Sequence, residues 1–473
     1  MISLNDSGNR NFDLMRLRPV RMLFHWRGFP YVFQTVALLV FIGLAVLAWD
    51  SYAPDGVNAK LYAKSNLVTL LIWGIWWPGM VWTAVLFGRV WCMICPMELV
   101  SNLSERVARS LGVKQLVLRR WVTSGALMVV FYALIQFLVA GAHINRVPAY
   151  TSLFLVGLLS MALLTGLIFK DRAFCRGFCP VGLLLATYGR GGMLAVRPAS
   201  EKTCQTCNGK DCLAPCNRYR TDARSCPSLL NPSKLDSNRD CLICGQCIKS
   251  CTSNNVQLQL RRPFHANAVE RFASWPVTIF VMLVSGFVTW ELCAEWPKAE
   301  ELFLTVPGLI NRSLGVSGLA GYIDALWAMV MFPLGVWSLI GLGKWCCGKS
   351  ANLGEFWQQT ALPIAIVVSA GHMSKGLAKF VAWAGFLPYA LNDPSGRQTA
   401  IGISQGIFPK PVELLSLSAV AIVASILIGF SVFFASRETK ASQTDSGYRI
   451  LAIKAAFAAS FLIVILAHAV SGN

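Results

Sequence analysis

The hydropathic pattern of this chain is dominated by runs that are apolar on every side, with no helical stripe of polar positions inside them. Nine such runs stand out: Val32–Trp49, Leu67–Phe87, Trp121–Ala140, Leu153–Phe169, Pro276–Leu292, Ile323–Leu342, Leu362–Leu391, Leu414–Phe434 and Leu451–Val470. A hydrocarbon core of ~30 Å calls for about 20 apolar residues in a helix, so each run reads as a membrane span. The seventh is long, and Gly371 or Gly376 offers a place for it to bend. Between the fourth and fifth runs, residues 200–265 are polar and cysteine-rich and contain no spanning run. The pattern therefore predicts a mostly α, polytopic membrane protein with about nine transmembrane helices and one inserted extramembrane domain. Its divisions are a basic segment 1–31, a four-helix membrane core 32–199, the inserted domain 200–265 and a C-terminal membrane domain 266–473 of about five helices. Residues 181–195 are apolar but broken by Gly189-Arg190-Gly191-Gly192, which suits a segment lying along the interface. The first 30 residues are long and polar for the start of a secretory signal, so the first run reads as a retained anchor.

Spans two and four end alike. One runs into Gly88-Arg89-Val90-Trp91-Cys92-Met93-Ile94-Cys95-Pro96, the other into Arg172-Ala173-Phe174-Cys175-Arg176-Gly177-Phe178-Cys179-Pro180. A basic residue, an aromatic and a Cys…Cys-Pro close both, which is a weak internal repeat of two helical hairpins.

Composition agrees with the spans: 55% of residues are hydrophobic and 14% charged. The net charge of +19 then becomes a topological signal. With the N-terminus inside, 33 of the 42 basic residues fall in inside segments, and the opposite orientation reverses that ratio. The expected placement is the prokaryotic inner membrane, with the N-terminus, the inserted domain and both Cys…Cys-Pro motifs cytoplasmic and the C-terminus periplasmic. The charge is scattered among apolar spans and no nucleic-acid recognition motif accompanies it, so lipid headgroups or an acidic redox partner are the expected counterparts.

Most of the 16 cysteines sit at metal-ligand spacing, which favours a reducing compartment and thiolate ligation over disulfides. The sharpest run is Cys241-x2-Cys244-x2-Cys247-x3-Cys251. Two-residue gaps let one loop aim three thiolates at three corners of a [4Fe–4S] cube, with the fourth cysteine left for a neighbouring cluster. Zinc sites use paired C-x2-C groups separated by a long gap. The run departs from the bacterial ferredoxin pattern at Thr252, where a proline is usual. Upstream lies Cys204-x2-Cys207-x4-Cys212-x3-Cys216, followed by Cys226-Pro227. If the last cysteine of each run crosses over, Cys204, Cys207, Cys212 and Cys251 hold one cluster. Cys241, Cys244 and Cys247 hold the other with an upstream partner. Cys226 is favoured for that place because Pro227 follows it, and Cys216 is the alternative. Cys92, Cys95, Cys175 and Cys179 make a further set of four, suited to a third cluster or a redox-active dithiol pair. As plain helix ends, the same residues would merely use proline to stop a span. Cys293 reads as packing, and the adjacent Cys346 and Cys347 as incidental.

This order of motifs resembles the membrane-bound polyferredoxins of the NapH/NosR type, over about residues 32–265. The shared order is a span ending in Gly88-Arg89 and Cys92/Cys95-Pro96, a span ending in Cys175/Cys179-Pro180, then paired cluster motifs. The resemblance implies electron transfer between the quinone pool, or a cytoplasmic donor, and a respiratory or reductase partner. Cys92 and Cys95 stand two residues apart where the family has three. The flavin-binding periplasmic domain of the nitrous-oxide system is absent, and spans five to nine lack a counterpart in the short nitrate-system members.

Histidines are few: His25, His143, His265, His372 and His468. No C-x-x-C-H occurs, which excludes covalent haem. His372, Lys375 and Lys379 share one helix face inside span seven. Ionisable groups there either donate to a quinone headgroup or belong to lysines snorkelling toward the outer end. Trp73, Trp76, Trp77, Trp82 and Trp91 read as interfacial anchors. No phosphate loop or dinucleotide fingerprint is present. The chain is therefore expected to be an electron carrier with two [4Fe–4S] clusters. The competing readings are a redox-sensing regulator or assembly factor with the same clusters, and a transporter carrying a ferredoxin-like regulatory domain.

Overall fold

The structure is a computed structural model and describes residues 12–235, 237–263, 272–315, 317–346, 352–440 and 446–471. It is mostly helical. Among the described residues, seven helices are long and apolar enough to cross a membrane. We label the elements used below in chain order. They are α1 (Arg18–His25), α2 (Tyr31–Leu47), α3 (Leu67–Phe87), α4 (Pro96–Ser110), α5 (Ala126–Gly141), α6 (Pro148–Ile168) and α7 (Gly182–Gly189). Then come α8 (Trp275–Cys293), α9 (Ala320–Lys344), α10 (Leu353–Ala384), α11 (Leu417–Ser436) and α12 (Ala452–Ser471). The spanning set is α3, α6 and α8 to α12, while α2 and α5 are shorter apolar helices of 17 and 16 residues at the positions of the first and third predicted runs.

Two departures from the hydropathic reading matter. The seventh span begins at Leu353 rather than Leu362 and runs unbroken through Gly371 and Gly376, carrying Pro363 inside it. The stretch after Cys179-Pro180 does not lie along an interface. Its helix α7 is buried along its whole length, and Leu183, Leu184, Leu185 and Tyr188 join the main core with residues of α3, α8 and α10. Such burial is how a broken apolar segment is tolerated at membrane depth, since neighbouring protein replaces water for its backbone. Several tryptophans expected at the interface instead join helices: Trp73 Nε1 donates to Thr151 Oγ1 at 3.1 Å, and Trp82 Nε1 to the Met373 carbonyl at 2.9 Å.

Outside the helices, β1 (Phe12–Asp13), β2 (Leu194–Pro198) and β3 (Val256–Leu260) form a three-stranded antiparallel sheet in the order β1-β3-β2. The sheet closes the cysteine-rich lobe, with strands that precede and follow the cysteines. The N-terminal segment is built into this lobe. Met15, Phe24 and Phe29 share a core with Cys241, Ile243 and Cys247. Lys249 Nζ donates to the Trp26 carbonyl at 2.7 Å and to the Phe29 carbonyl, pinning α1 and the chain after it.

Candidate metal centres

The thiols gather into three groups of four. The first is at the end of α3 and α6. Cys95 and Cys179 each precede a proline and take extended backbone, φ −67° and ψ 128° for one, φ −67° and ψ 116° for the other. A following proline disfavours helix at these residues, so the repeated Cys-Pro gives the same local geometry twice. Pro96 then opens α4, where its missing N–H is no loss. Cys175 sits in a π-helical turn, Phe174–Phe178. Cys95, Cys175 and Cys179 pack in one cluster with Met97, Ala162 and Phe174. The Cys179 thiol is pushed up to about 12 by burial, then by the charges of Cys175 and Cys92.

The second group lines a small cavity: Cys226, Cys241, Cys244 and Cys247, with Val196, Pro227 and Leu230 among its walls. Ile243 and Gly245 take left-handed backbone, φ 56° and 68°, which curls the Cys241–Cys247 loop. Burial and then the Cys226 charge push Cys244 up to about 12. The third group is Cys204, Cys207, Cys212 and Cys251. Burial and then the charges of Cys251, Cys204 and Cys207 push Cys212 up to about 11. Asn255 ties two of these together, its Nδ2 donating to Cys204 Sγ at 3.1 Å and its backbone N–H to Cys251 Sγ at 3.3 Å. The second and third groups adjoin: the Cys226 N–H donates to the Cys212 carbonyl at 2.9 Å. Cys216 stands apart, exposed, its thiol 3.9 Å from Asn217 Oδ1.

These sets fit cubane iron–sulfur cores. Each offers four thiols, and in the second and third sets N–H donors already point at sulfur, as at Leu230 N to Cys226 Sγ, 3.4 Å, and Asn255 N to Cys251 Sγ, 3.3 Å. Burial keeps thiols such as Cys179, Cys212 and Cys244 protonated, and iron binding displaces those protons. Among the described residues, no three His, Cys, Asp or Glu side chains converge as a single metal ion requires.

Between the first and second groups lies a buried ion cluster. Glu98, one turn into α4, accepts from Arg224 at 2.6 Å and Gln34 at 2.6 Å and pairs with Arg172 at 3.0 Å. Burial alone would raise its carboxyl. The Arg224 and Arg172 guanidiniums and the hydrogen bonds from Arg224 and Gln34 outweigh that and hold it at about 2. Two turns on, Glu105 accepts the N–H groups of Asp171 and Arg172 at 3.0 and 3.2 Å, and Tyr219 Oη at 2.9 Å. Asp171 and Arg172 both have left-handed backbone, φ 66° and 55°. Glu105 therefore braces the strained approach to Cys175. Arg224 also reaches the second group, because its N–H donates to Gln246 Oε1 at 3.3 Å beside Cys247. Gly88, φ 83° and ψ −155°, takes a backbone reserved for glycine, and lies against Gly189 and Gly192 of the chain leaving α7. Arg89 follows, buried, and donates to the Arg239 carbonyl at 3.1 Å.

The 4Fe-4S binding domain family matches residues 69–114 and 151–198, the two stretches that carry Cys92/Cys95 and Cys175/Cys179. Ferredoxin-type protein NapH of Haemophilus influenzae is 24% identical over 187 residues, 38% of this chain and 64% of that protein. Over that part of its length, the chain is similar to the NapH-type ferredoxin proteins. The putative electron transport protein YccM of Escherichia coli is 25% identical over 249 residues, 46% of this chain and 66% of that protein. Protein NirI of Paracoccus denitrificans is 28% identical over 203 residues, 35% of this chain and 29% of that protein. The chain thus spans less than two thirds of the length of these relatives. No solved structure matches it.

In the membrane, His372 is buried beside Tyr188, whose Oη lies 3.3 Å from His372 Nδ1. Lys375 is not a snorkelling lysine. It donates to the Glu291 carbonyl at 2.9 Å, sits 3.5 Å from the Glu291 carboxylate and pairs with Glu295. Lys379 lies over the Trp383 ring at 5.2 Å. His25 is exposed and His468 lies in α12, while His265 and Cys347 fall outside the described residues. The residues that motif reading missed are Glu98, Glu105, Arg224, Glu291 and Glu295. The four acids were signalled only by their placement near span ends, and Arg224 by nothing in its neighbourhood.

Proposed function

We propose that the chain is a membrane-bound iron–sulfur electron relay of the prokaryotic inner membrane, passing electrons between the quinone pool and a redox partner that docks on the cysteine-rich lobe. Three [4Fe–4S] clusters serve the relay. Cys92, Cys95, Cys175 and Cys179 hold the first, Cys226, Cys241, Cys244 and Cys247 the second, and Cys204, Cys207, Cys212 and Cys251 the third. When bound, the clusters supply reversible one-electron chemistry. The chain's own residues set where they sit and what charge surrounds them. The observation that carries this reading is the linkage of the thiol sets: the Glu98–Arg172–Arg224 ion cluster stands beside the first and second sets, and the Cys226–Cys212 backbone bond joins the second and third.

Buried Arg89, Arg172 and Arg224 favour a core carrying net negative charge, and so favour its reduced form. The family match and the ferredoxin-type relatives support cluster binding at the first set and an electron-transfer role. The lobe faces the cytoplasm by the distribution of basic residues.

The test is anaerobic. Purified holoprotein is mixed with a short-chain quinol, and its clusters are followed by low-temperature EPR. Reduction by the quinol, reversed by a lobe-side oxidant, is the expected result. Clusters that dithionite reduces and quinol never does would remove the quinone pool from the proposal.

A further inference from the structure

Six ionisable or hydroxyl side chains lie together inside the helix bundle, apart from the thiol sets. At the inner end, Tyr188 Oη lies 3.3 Å from His372 Nδ1, leaving the other ring nitrogen of His372 free of that contact. One turn along α10 is Lys375, which pairs with Glu291 and Glu295, and one further turn on is Lys379. Glu291 lies close enough to His372 and Lys379 to interact with the charge of each. The histidine end is buried, His372 at 4% exposed, while the side chains of Lys375, Glu291 and Glu295 are 13%, 29% and 38% exposed.

The two ends differ in what they meet. Glu295 stands just past the end of α8, a helix of 19 residues, so it lies roughly 28 Å from the lobe side where α8 begins. Tyr188 is followed by Gly189, whose backbone lies against Gly88 and Arg89, three residues before Cys92. Trp91, beside Cys92, meets Trp76 edge-on at 6.1 Å, and Trp77 lies 6.3 Å from the His372 ring. Charged groups are costly at such depth and persist where a pathway needs them. An ion pair alone would be complete with Lys375 and one acid. It would not need a second acid, a second lysine, or a histidine–tyrosine pair leading toward a redox site.

We propose that Glu295, Lys379, Glu291, Lys375, His372 and Tyr188 form a proton-transfer line between the water at the end of the molecule remote from the lobe and the neighbourhood of Cys92. A charge added beside Cys92 in a medium of low dielectric draws a compensating positive charge toward it. Each electron that arrives there is matched by one proton reaching the imidazole of His372, and each electron that leaves is matched by one proton returning to water past Glu291 and Glu295. With a quinol as donor, its two O–H bonds break, its two electrons go to the relay, and its two protons are the ones that reach His372, one with each electron; they return to water along this line as the electrons leave. The inference rests on the electron-relay reading for that donor, but the line itself answers to charge at the first thiol set whatever the source of electrons.

The test uses holoprotein reduced on an electrode, so it needs no quinol. Infrared difference spectra between oxidised and reduced protein are recorded unlabelled, with nitrogen-15 histidine, and for the variants His372→Gln and Glu291→Gln. The expected result is an imidazole band that shifts with the label and disappears in His372→Gln, and a carboxyl band that disappears in Glu291→Gln. Iron content and EPR of each variant check that the clusters are intact. Should His372→Gln fail to fold, the isotope shift in the unsubstituted protein and a Tyr188→Phe variant that alters the imidazole band decide the matter. Labelled and unlabelled spectra that coincide, or bands that survive both substitutions, would overturn the line. Failure of quinol to reduce the clusters would sink the quinol-fed relay and leave these spectra to judge the line separately.

Discussion

Replacing Glu98 by glutamine removes one negative charge from a site where two guanidiniums depend on it. Glu98 is 2% exposed, Arg172 4% and Arg224 3%, so water does not compensate the loss. The glutamine keeps an acceptor for Gln34 or Arg224 but leaves both cations buried beside a neutral group. The carboxyl is held at about 2 against an ordinary 4.5. At ~1.4 kcal/mol per pH unit, that corresponds to roughly 3 kcal/mol of native-state stabilisation. Breaking buried ion pairs by removal of one partner costs about 3–5 kcal/mol, which agrees. The folded value lies below the unfolded one, so this stabilisation is full above pH 4.5 and is lost as the pH falls from there toward 2. The assay is pulse proteolysis of the lobe in detergent under rising denaturant, with a double-mutant cycle between Glu98→Gln and Arg224→Met. The expected result is a loss of about 3 kcal/mol for Glu98→Gln, a coupling of the order of 1–3 kcal/mol between the two sites, and a wild-type midpoint that falls on acidification while that of the variant does not. A change below about 0.5 kcal/mol, with additive substitutions, would refute the claim that this cluster joins lobe to membrane core.

Other outcomes follow from single positions. Cys226→Ser loses about four irons per chain while Cys216→Ser loses none, as counted by iron and sulfide analysis, because only Cys226 lines the cavity with Cys241, Cys244 and Cys247. Gly88→Ala places a Cβ on a backbone reserved for glycine, 3.2 Å from Ile243, and lowers stability by about 1–3 kcal/mol, read in the same proteolysis assay. Glu105→Ala strips the acceptor from the left-handed pair Asp171–Arg172 and reduces iron retention at the first thiol set, seen as faster loss of cluster absorbance on exposure to a chelator.

Much of this arrangement is legible in the chain because it is local. Spans announce themselves by length and apolarity, and the second is delimited at Leu67–Phe87 by both hydropathy and structure. The cysteine loops are equally local, since spacing limits which thiols one turn can present; Pro227 favoured Cys226 over the alternative Cys216, and Cys226 is the one that lines the cavity with Cys241, Cys244 and Cys247. What eluded the pattern was made by contacts remote in sequence. Glu98 and Arg224 are 126 positions apart, and nothing in either neighbourhood announces the pair. The glycines after α7 look like a break in an apolar run until Gly88 is seen lying against them. Lys375 read as either a quinone donor or a snorkelling side chain because Glu291 and Glu295, remote in sequence, are silent about their partner until the helices pack.

The most direct measurement of the central claim is iron and acid-labile sulfide per chain in anaerobically purified protein, read with Mössbauer spectra. About twelve irons, all in [4Fe–4S] environments, is the prediction for three thiol sets. About eight irons, unchanged when Cys95 and Cys179 are both replaced by serine, would contradict it.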